Sequence, residues 1–425
     1  MNNPQKYSVF TSLIKTVIDN RGKSVPTVEK GFPLIATNCI QLNSIYPTFE
    51  NIRYVSEETL RTWFRAHISP NDILLVNKGT PGRACLVPDP VSFCVAQDMV
   101  AVRAEEKEIS YKYLFAVLRS DYVQRQISNF HVGLVIPHFK KGDFNKLMIP
   151  RLGTKGQEDA MGDLYLLISE KIELNNKINA ELESMAKMLY DYWFVQFDFP
   201  NEKGKPYKTN GGKMVWNEEL KREIPEGWEN GALGDIAELV RGVTYDASEI
   251  KSENDAGVIP VLRATNITGN VIDLNDMVYV PKENVSSVQV LNKFEILITM
   301  SSGSKEHIGK NGFFYYDKEV AFGAFCAKIV SKDKYRFYLY SYTQSDFMFT
   351  TIKNECLGTN INNLNGALVK GFKIVIPPKE LIKSFNEKVS SVYDKIGSNL
   401  IENQKLTELR DWLLPMLMNG QVTVN

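Results

Sequence analysis

The chain has 425 residues, 44% of them hydrophobic, with 50 basic side chains against 50 acidic ones. At roughly 150 residues per domain this leaves room for two or three globular units and excludes a disordered chain. Zero net charge argues against an evenly basic polyanion binder, and the longest apolar run, Leu413 to Met418, is far short of the ~20 residues that cross a bilayer. The five cysteines are scattered and never spaced C-x-x-C, and the N-terminus from Met1 to Lys6 lacks a secretory pattern. Both features fit a reducing, cytoplasmic setting.

In chain order, residues 1–155 hold 20 Lys+Arg and 13 Asp+Glu, a balance of +7. Short β-branched runs predict strands over Phe32 to Ile35, Ile73 to Val76 and Val95 to Val102, with a helix from Ser110 to Ile127. Ile149-Pro150 closes this mixed α/β globule, because proline ends a strand. Residues 156–197 hold 3 basic and 8 acidic side chains, −5, and no proline between Gly156 and Gln196. Their heptad spacing predicts one long helix with a coiled-coil seam at Leu164, Leu167, Leu174, Ile178, Met185 and Met188. At 1.5 Å per residue such a helix is roughly 60 Å long. Residues 198–229 read as a polar, turn-rich linker.

Residues 198–378 hold 21 basic and 23 acidic side chains, and 230–378 repeat the strand-like character. Strands are expected at Val258 to Leu262, Glu295 to Met300 and Lys373 to Ile376, a helix over Tyr335 to Lys353, and closure at Ile376-Pro377-Pro378. Residues 379–425 (6 basic, 6 acidic) give a second heptad helix with seam positions Val389, Val392, Ile396, Leu406 and Leu413. Asn399 and Asn403 fall on that seam, where polar residues cost stability and pin register.

The chain resembles itself. Arg21-Gly22 recurs as Arg241-Gly242, Ala36-Thr37-Asn38 as Ala264-Thr265-Asn266, Tyr54-Val55 as Tyr279-Val280, and Asp72-Ile73-Leu74-Leu75 as Glu295-Ile296-Leu297-Ile298. Gly133 and Ile136 match Gly358 and Ile361, and Ile149-Pro150 matches Ile376-Pro377. All lie about 225 residues apart, too long a period for a solenoid, so a domain pair is duplicated. The expected fold class is α+β: two mixed α/β domains separated by long helices that pair as an antiparallel coiled coil, a pseudo-two-fold internal repeat.

No catalytic constellation emerges. Gly303 to Asn311 imitates a phosphate loop but has one residue too many between its glycines and Asn where Ser or Thr is needed. No G-x-G-x-x-G follows a strand, and His67, His131, His138 and His307 have no metal-ligand spacing. Glu249-Ile250-Lys251 lacks an upstream acidic partner for nuclease chemistry. The polar loops suit nucleic acid instead. Asn77 to Arg83, with Lys78, Thr80 and Arg83, follows one predicted strand. Ser301, Ser302 and Lys305, with Lys310 beyond, follow its repeat partner. Lys140 and Lys141 in the first module and Asn360, Asn362 and Asn363 in the second lie in later loops. Gly permits close backbone approach, Ser, Thr and Lys donate to phosphate, Asn contacts adenine, and Arg or Lys reads guanine. The same loop position with different residues suits two modules that read different sequences.

The order domain, helix, domain, helix resembles a type I restriction–modification specificity subunit over essentially the whole chain. The resemblance rests on Lys177-Ile178-Asn179-Ala180-Glu181-Leu182 running into Leu189-Tyr190-Asp191-Tyr192-Trp193-Phe194. It rests also on Gly204-Lys205-Pro206-Tyr207-Lys208, Gly211-Gly212-Lys213-Met214, Ile224-Pro225-Glu226-Gly227-Trp228, Ile376-Pro377-Pro378 and Leu406-Thr407-Glu408-Leu409-Arg410. The Glu-Gln pair common after Ile-Pro-Pro is replaced by Gly156-Gln157-Glu158 in the first unit and is missing from the second. The resemblance implies target-recognition domains at 1–155 and 230–378, helical spacers at 156–197 and 379–425, and double-stranded DNA as ligand. Each domain would read half of a bipartite site in the major groove, and the helices would act as a ruler. It also implies methyltransferase and restriction/translocase subunits as partners, holding S-adenosylmethionine, ATP and Mg, with no cofactor or catalysis in this chain. Ile168, Ile172, Leu182 and Leu189 would be exposed for partner helices. The alternatives are a methylation-only or orphan specificity subunit, which neighbouring genes would distinguish, and a bivalent coiled-coil adaptor, which lacks salt-sensitive DNA binding.

Overall fold

The structure is a computed structural model that describes residues 6–20, 23–130, 135–332, 334–358 and 363–418. It has two compact units, Met1–Lys177 with Glu402–Asn425, and Ile178–Ile401. Among the described residues no helix is long and apolar enough to cross a membrane.

The first unit contains β1 (Lys6–Val9), β2 (Ile14–Asp19), β3 (Phe32–Ile35), β4 (Arg53–Val55), α1 (Glu57–Thr62), β5 (Ile73–Val76), β6 (Ala84–Leu86), β7 (Cys94–Val95) and β8 (Met99–Ala104). It continues with α2 (Tyr111–Leu118), α3 (Asp121–Asn129), β9 (Met148–Arg151) and the first part of α4 (Lys155–Tyr190). Its main sheet has the order β2-β8-β5-β6, all antiparallel, beside a three-stranded sheet β4-β3-β7 and the pair β1-β9. Alternation along β5 explains its unbroken apolar sequence. Ile73 and Leu75 face the core built on α2, while Leu74 and Val76 face a second core with Cys85 and Met99. A strand covered on both faces reads as continuously hydrophobic.

The second unit carries the end of α4 and then β10 (Met214–Asn217), β11 (Arg222–Pro225), β12 (Glu229–Ala232), α5 (Leu233–Ile236), β13 (Ala237–Arg241), β14 (Val258–Leu262), β15 (Ile267–Thr268) and β16 (Val271–Ile272). β17 (Val278–Pro281), β18 (Ile296–Thr299), β19 (Asn311–Phe313), β20 (Ala321–Phe322), β21 (Cys326–Ser331), α6 (Arg336–Thr343), α7 (Asp346–Gly358), α8 (Gly366–Lys370), β22 (Lys373–Ile376) and α9 (Lys379–Met418) follow. The sheets β13-β21-β18-β19, β17-β14-β20 and β12-β22 copy the strand orders of the first unit one for one. In each three-stranded sheet one pair is antiparallel and the other parallel. The duplication read from six short matches is therefore a duplication of topology. Arg21, Gly22, Gly133 and Ile361 of those matches lie outside the described residues.

Four local expectations are corrected. Val95 to Val102 is two strands, broken by a turn at Ala96-Gln97-Asp98. The helix expected over Ser110 to Ile127 is the pair α2 and α3. The Ser120 hydroxyl donates to the Val117 carbonyl at 2.6 Å and accepts from the Val123 amide at 3.4 Å, ending one helix and capping the next. Tyr335 to Lys353 divides in the same way into α6 and α7. The stretch 198–229 is more than a tether, because Phe199 stacks on Tyr207 and Trp228 at 4.7 and 5.0 Å within the second unit's core.

Within each unit the long helices run antiparallel. In the first, the Arg410 guanidinium lies 5.8 Å from the Tyr165 ring, and Asn175 Nδ2 donates to Asn403 Oδ1 at 2.9 Å and Glu402 Oε2 at 2.8 Å. In the second, Asn399 Nδ2 donates to Asn179 Oδ1 at 2.8 Å and the Trp193 and Phe385 rings are 5.9 Å apart. The seam on α4 needs correction. Leu167, Leu174, Met185 and Met188 are each more than half exposed, whereas Ile168, Ile172, Asn175, Asn179 and Ala186 are buried. Leu164 and Ile178 are half-buried, and Leu182 and Leu189 pack against the second unit's core rather than standing free. Leucine and methionine spacing points to the exposed face, while the buried face also carries asparagines and small residues that allow close approach. A Cβ on Gly162 would come within 2.5 Å of the Tyr113 amide nitrogen. On α9, Val389 and Ile396 are buried, Val392 and Leu406 are half-buried, and Leu413 packs on the first unit's core.

Candidate nucleic-acid interface

The loops singled out in each module meet at the end of the main sheet. In the first unit the chain leaving β5 is pinned at once. The Asn77 and Lys78 amides donate to the Asp98 carbonyl at 2.9 and 3.2 Å, and the Phe139 amide donates to the Asn77 carbonyl at 2.7 Å. The buried Asn77 side chain adds a bond from Nδ2 to the Phe139 carbonyl at 2.8 Å. Lys78 thereby pairs with His138, and Gly79 donates to the Pro137 carbonyl at 3.0 Å. Positive φ values at Gly79 and Gly82, 87° and 96°, make the turn back into β6. At Gly82 a Cβ would also meet Gln124 Oε1 at 2.6 Å.

The second unit builds the same frame from other residues. The Met300 and Ser301 amides donate to the Phe325 carbonyl at 2.8 and 3.1 Å, and the Leu364 amide donates to the Met300 carbonyl at 2.6 Å. Ser301 pairs with Asn363. At the exit, Gly82 to Val76 and Gly309 to Thr299 are matching 3.0 Å bonds, as are Val76 to Arg83 and Thr299 to Lys310 at 2.9 Å. The loop is four residues longer in the second unit, 300–308 against 77–81, which is why the repeat offset drifts from 223 to 227.

Lys78, Thr80, Lys140, Lys141 and Asn363 are exposed, and Ser301 and Ser302 are half-buried at the loop base. Lys141 forms an ion pair with Asp19. Arg83 is half-buried and points its Nη1 at the Ile40 carbonyl, 3.5 Å away, so it braces the loop. Lys310 is also half-buried, with Nζ 3.3 Å from His307 Nδ1. Lys305 opens a single 3-10 turn, Lys305–His307, and its side chain lies outside the described set, as do Asn360 and Asn362 altogether. A cavity of about 450 Å³ sits beside the second frame, walled by Tyr245, Arg263, Ser301, Ser302 and Phe325. Residues that sequence reasoning missed are Asp98 and Phe325. Each sits in a turn expected to be continuous strand or left unassigned, and an alignment at offset 227 would have set one against the other.

Among the described residues no group of three or more His, Cys, Asp or Glu is placed to hold a metal ion. Cys39, Cys85, Cys94 and Cys326 are buried and free, and burial pushes the thiols of Cys94 and Cys326 up to about 12, so they stay protonated packing groups.

Two copies of one loop frame on duplicated sheets, joined through long helices, define a two-module specificity scaffold, and comparison with known proteins agrees. Residues 225–410 match the type I restriction modification DNA specificity domain. The chain is 30% identical over 207 residues to the EcoKI specificity subunit of Escherichia coli K12, covering 47% of this chain and 44% of that one, so it spans under half of that relative. It is 24% identical to the MjaIX specificity subunit of Methanocaldococcus jannaschii over 88% of this chain and 82% of that one. The crystal structure of a type I restriction–modification S subunit from M. genitalium superposes with a TM-score of 0.58 at 17% identity, over 98% of this chain and 97% of that one, and so shares the fold. The chain is thus similar to type I restriction–modification specificity subunits, and residues 225–410 carry the sequence pattern of their DNA specificity domain.

Proposed function

We propose that the chain is the non-catalytic DNA-recognition subunit of a type I restriction–modification complex. Each module reads one half of a bipartite, asymmetric double-stranded site, and the helices set the length of the unread spacer. The observation that carries this reading is the repeated loop frame. The same backbone hydrogen bonds present Lys78 and His138 in one module and Ser301 and Asn363 in the other, so a single scaffold offers two chemistries. Lysine amines and hydroxyls reach phosphates, and Asn, Lys and His meet base edges. The methyltransferase subunits, and a restriction/translocase subunit for cleavage, bring S-adenosylmethionine, ATP and Mg; the complex works in the cytoplasm. The exposed apolar stripe Met185, Met188, Tyr192 and Val195 on α4 and the turn after it is the surface offered to the methyltransferase helices. The test is DNA binding by the full chain with a salt titration. Specific affinity should fall steeply with salt. Lys78→Ala and Lys305→Ala should each weaken binding by about 1 kcal/mol through different half-sites. Binding that ignores salt, or both changes acting on one half-site, overturns the reading.

A further inference from the structure

The frame has a third position besides the two loops, the turn between the last short strand and the inner strand of the main sheet. In the first unit this turn is Ala96-Gln97-Asp98, between β7 and β8; in the second it is Gly323-Ala324-Phe325, between β20 and β21. The carbonyls of Asp98 and Phe325 each accept two amides from the loop that follows the central strand, at 2.8 to 3.2 Å. These two residues are therefore equivalent, and their backbones are fixed to the candidate reading loops. Their side chains project outward. Asp98 is exposed, and Phe325 is 68% exposed, at the rim of the cavity walled by Tyr245, Arg263, Ser301 and Ser302. A phenyl ring left in water on a hydrogen-bonded turn has forgone burial, and it offers an apolar face to whatever docks beside it.

Resting on the specificity-subunit reading above, we propose that Asp98 and Phe325 are base-reading residues at matching positions of the two modules. The Asp98 carboxylate accepts a hydrogen bond from the exocyclic amino group of a cytosine, and the Phe325 ring covers the methyl group of a thymine. The cytosine amino group is the usual base-edge partner of a carboxylate in the major groove, and the thymine methyl group that of an apolar side chain. The carboxylate repels phosphates, so its contact is to a base edge. Lys78, whose amide bonds the same carbonyl, supplies the neighbouring positive charge.

The experiment uses the full-length chain and a library of DNA duplexes with a randomised core, selected at low ionic strength, where phosphate contacts are strongest. The wild-type chain should enrich a bipartite motif. Asp98→Asn should move one base of one half-site from cytosine towards adenine, which an asparagine side chain pairs with, by about fivefold or more. Asn also tolerates the left-handed backbone at this position, where φ is 76°. Phe325→Asp should exchange a thymine for a cytosine at one base of the other half-site, and Phe325→Ser should relax that same base. Thermal unfolding identical to wild type should accompany each exposed substitution. A wild-type motif that survives all three variants unchanged overturns this inference alone, as does a change in the same half-site from both positions. A wild-type chain that enriches no motif overturns the DNA-recognition reading and this inference with it.

Discussion

Asp72 is a carboxylate almost entirely removed from water, and it sits immediately before β5, the strand that delivers the first candidate loop. Its two oxygens accept from Arg103 Nε and Nη2 at 2.7 and 2.8 Å, and the Ser69 amide adds a third bond at 2.7 Å. In the second module Glu295 holds the corresponding place before β18 and pairs with the buried Lys328 at 2.9 Å. Asp72→Asn should cost about 2 kcal/mol in urea unfolding, at the low side of a buried pair because the Arg103 side chain is partly solvated. A second carboxyl carries pH dependence. Burial raises the Glu183 carboxyl above its usual range, and the 2.7 Å bond from Asn270 only partly opposes this. A raised carboxyl holds its proton more tightly folded than unfolded, so it costs nothing at acid pH and costs stability as pH rises through its folded value. Glu183→Gln should therefore stabilise the protein near neutral pH, with the gain vanishing as the pH is lowered below the ordinary glutamate range; equal gains at all pH values would refute the assignment.

At the scale of elements, the long helices show how a heptad pattern misleads. Leucine and methionine spacing gives α4 a plausible seam, yet its buried stripe includes Asn175 and Asn179, matched to Asn403 and Asn399. A leucine scan cannot see this, because α4 and α9 also pack on their own globules, and the α4 residues in the first unit's core are Met161, Tyr165 and Leu166. On α9 the two signals coincide, so Val389 and Ile396 were legible. Asn399→Ala should destabilise by about 1–3 kcal/mol, since it strands Asn179 in a buried site. Replacing both Asn179 and Asn399 by Leu should recover that loss in urea unfolding while weakening the choice of helix register. Met185→Glu with Met188→Glu tests the other face. Both residues are exposed, so unfolding should shift by no more than about 0.5 kcal/mol. Co-purification with the methyltransferase subunits should disappear.

For the whole molecule, zero net charge conceals a first module at +7 and a helix at −5. That cancellation predicts weak, salt-sensitive DNA binding by the chain alone and tighter binding once partner subunits add phosphate contacts. The domain order, the duplication and most central strands were legible because each strand is a short apolar run repeated at one offset, with β3, β5, β14 and β22 found to the residue. The positions proposed to read bases were half legible. Glycine and lysine mark the loops after β5 and β18, but the turns carrying Asp98 and Phe325 interrupt apolar sequence that looks continuous, and only pairing with a distant loop makes them visible. If the helices are the ruler, inserting one heptad into both α4 and α9 beside the asparagine pairs should lengthen the unread spacer by about three base pairs, from 7 × 1.5 Å against 3.4 Å per base pair. An unchanged spacer in the selected duplexes would sink that idea.

The bonds shared by the two frames beneath the candidate loops run between main-chain amides and carbonyls, so this shared part does not depend on which side chains it displays. The three display positions differ completely between the modules, Lys78, Asp98 and His138 against Ser301, Phe325 and Asn363, while the bonds that hold them are the same. On the proposed reading, recognition is thus decoupled from folding at these sites. Exchanging letters there costs the scaffold almost nothing, and a new target is reachable by a few substitutions, each of which leaves behind a protein that still folds.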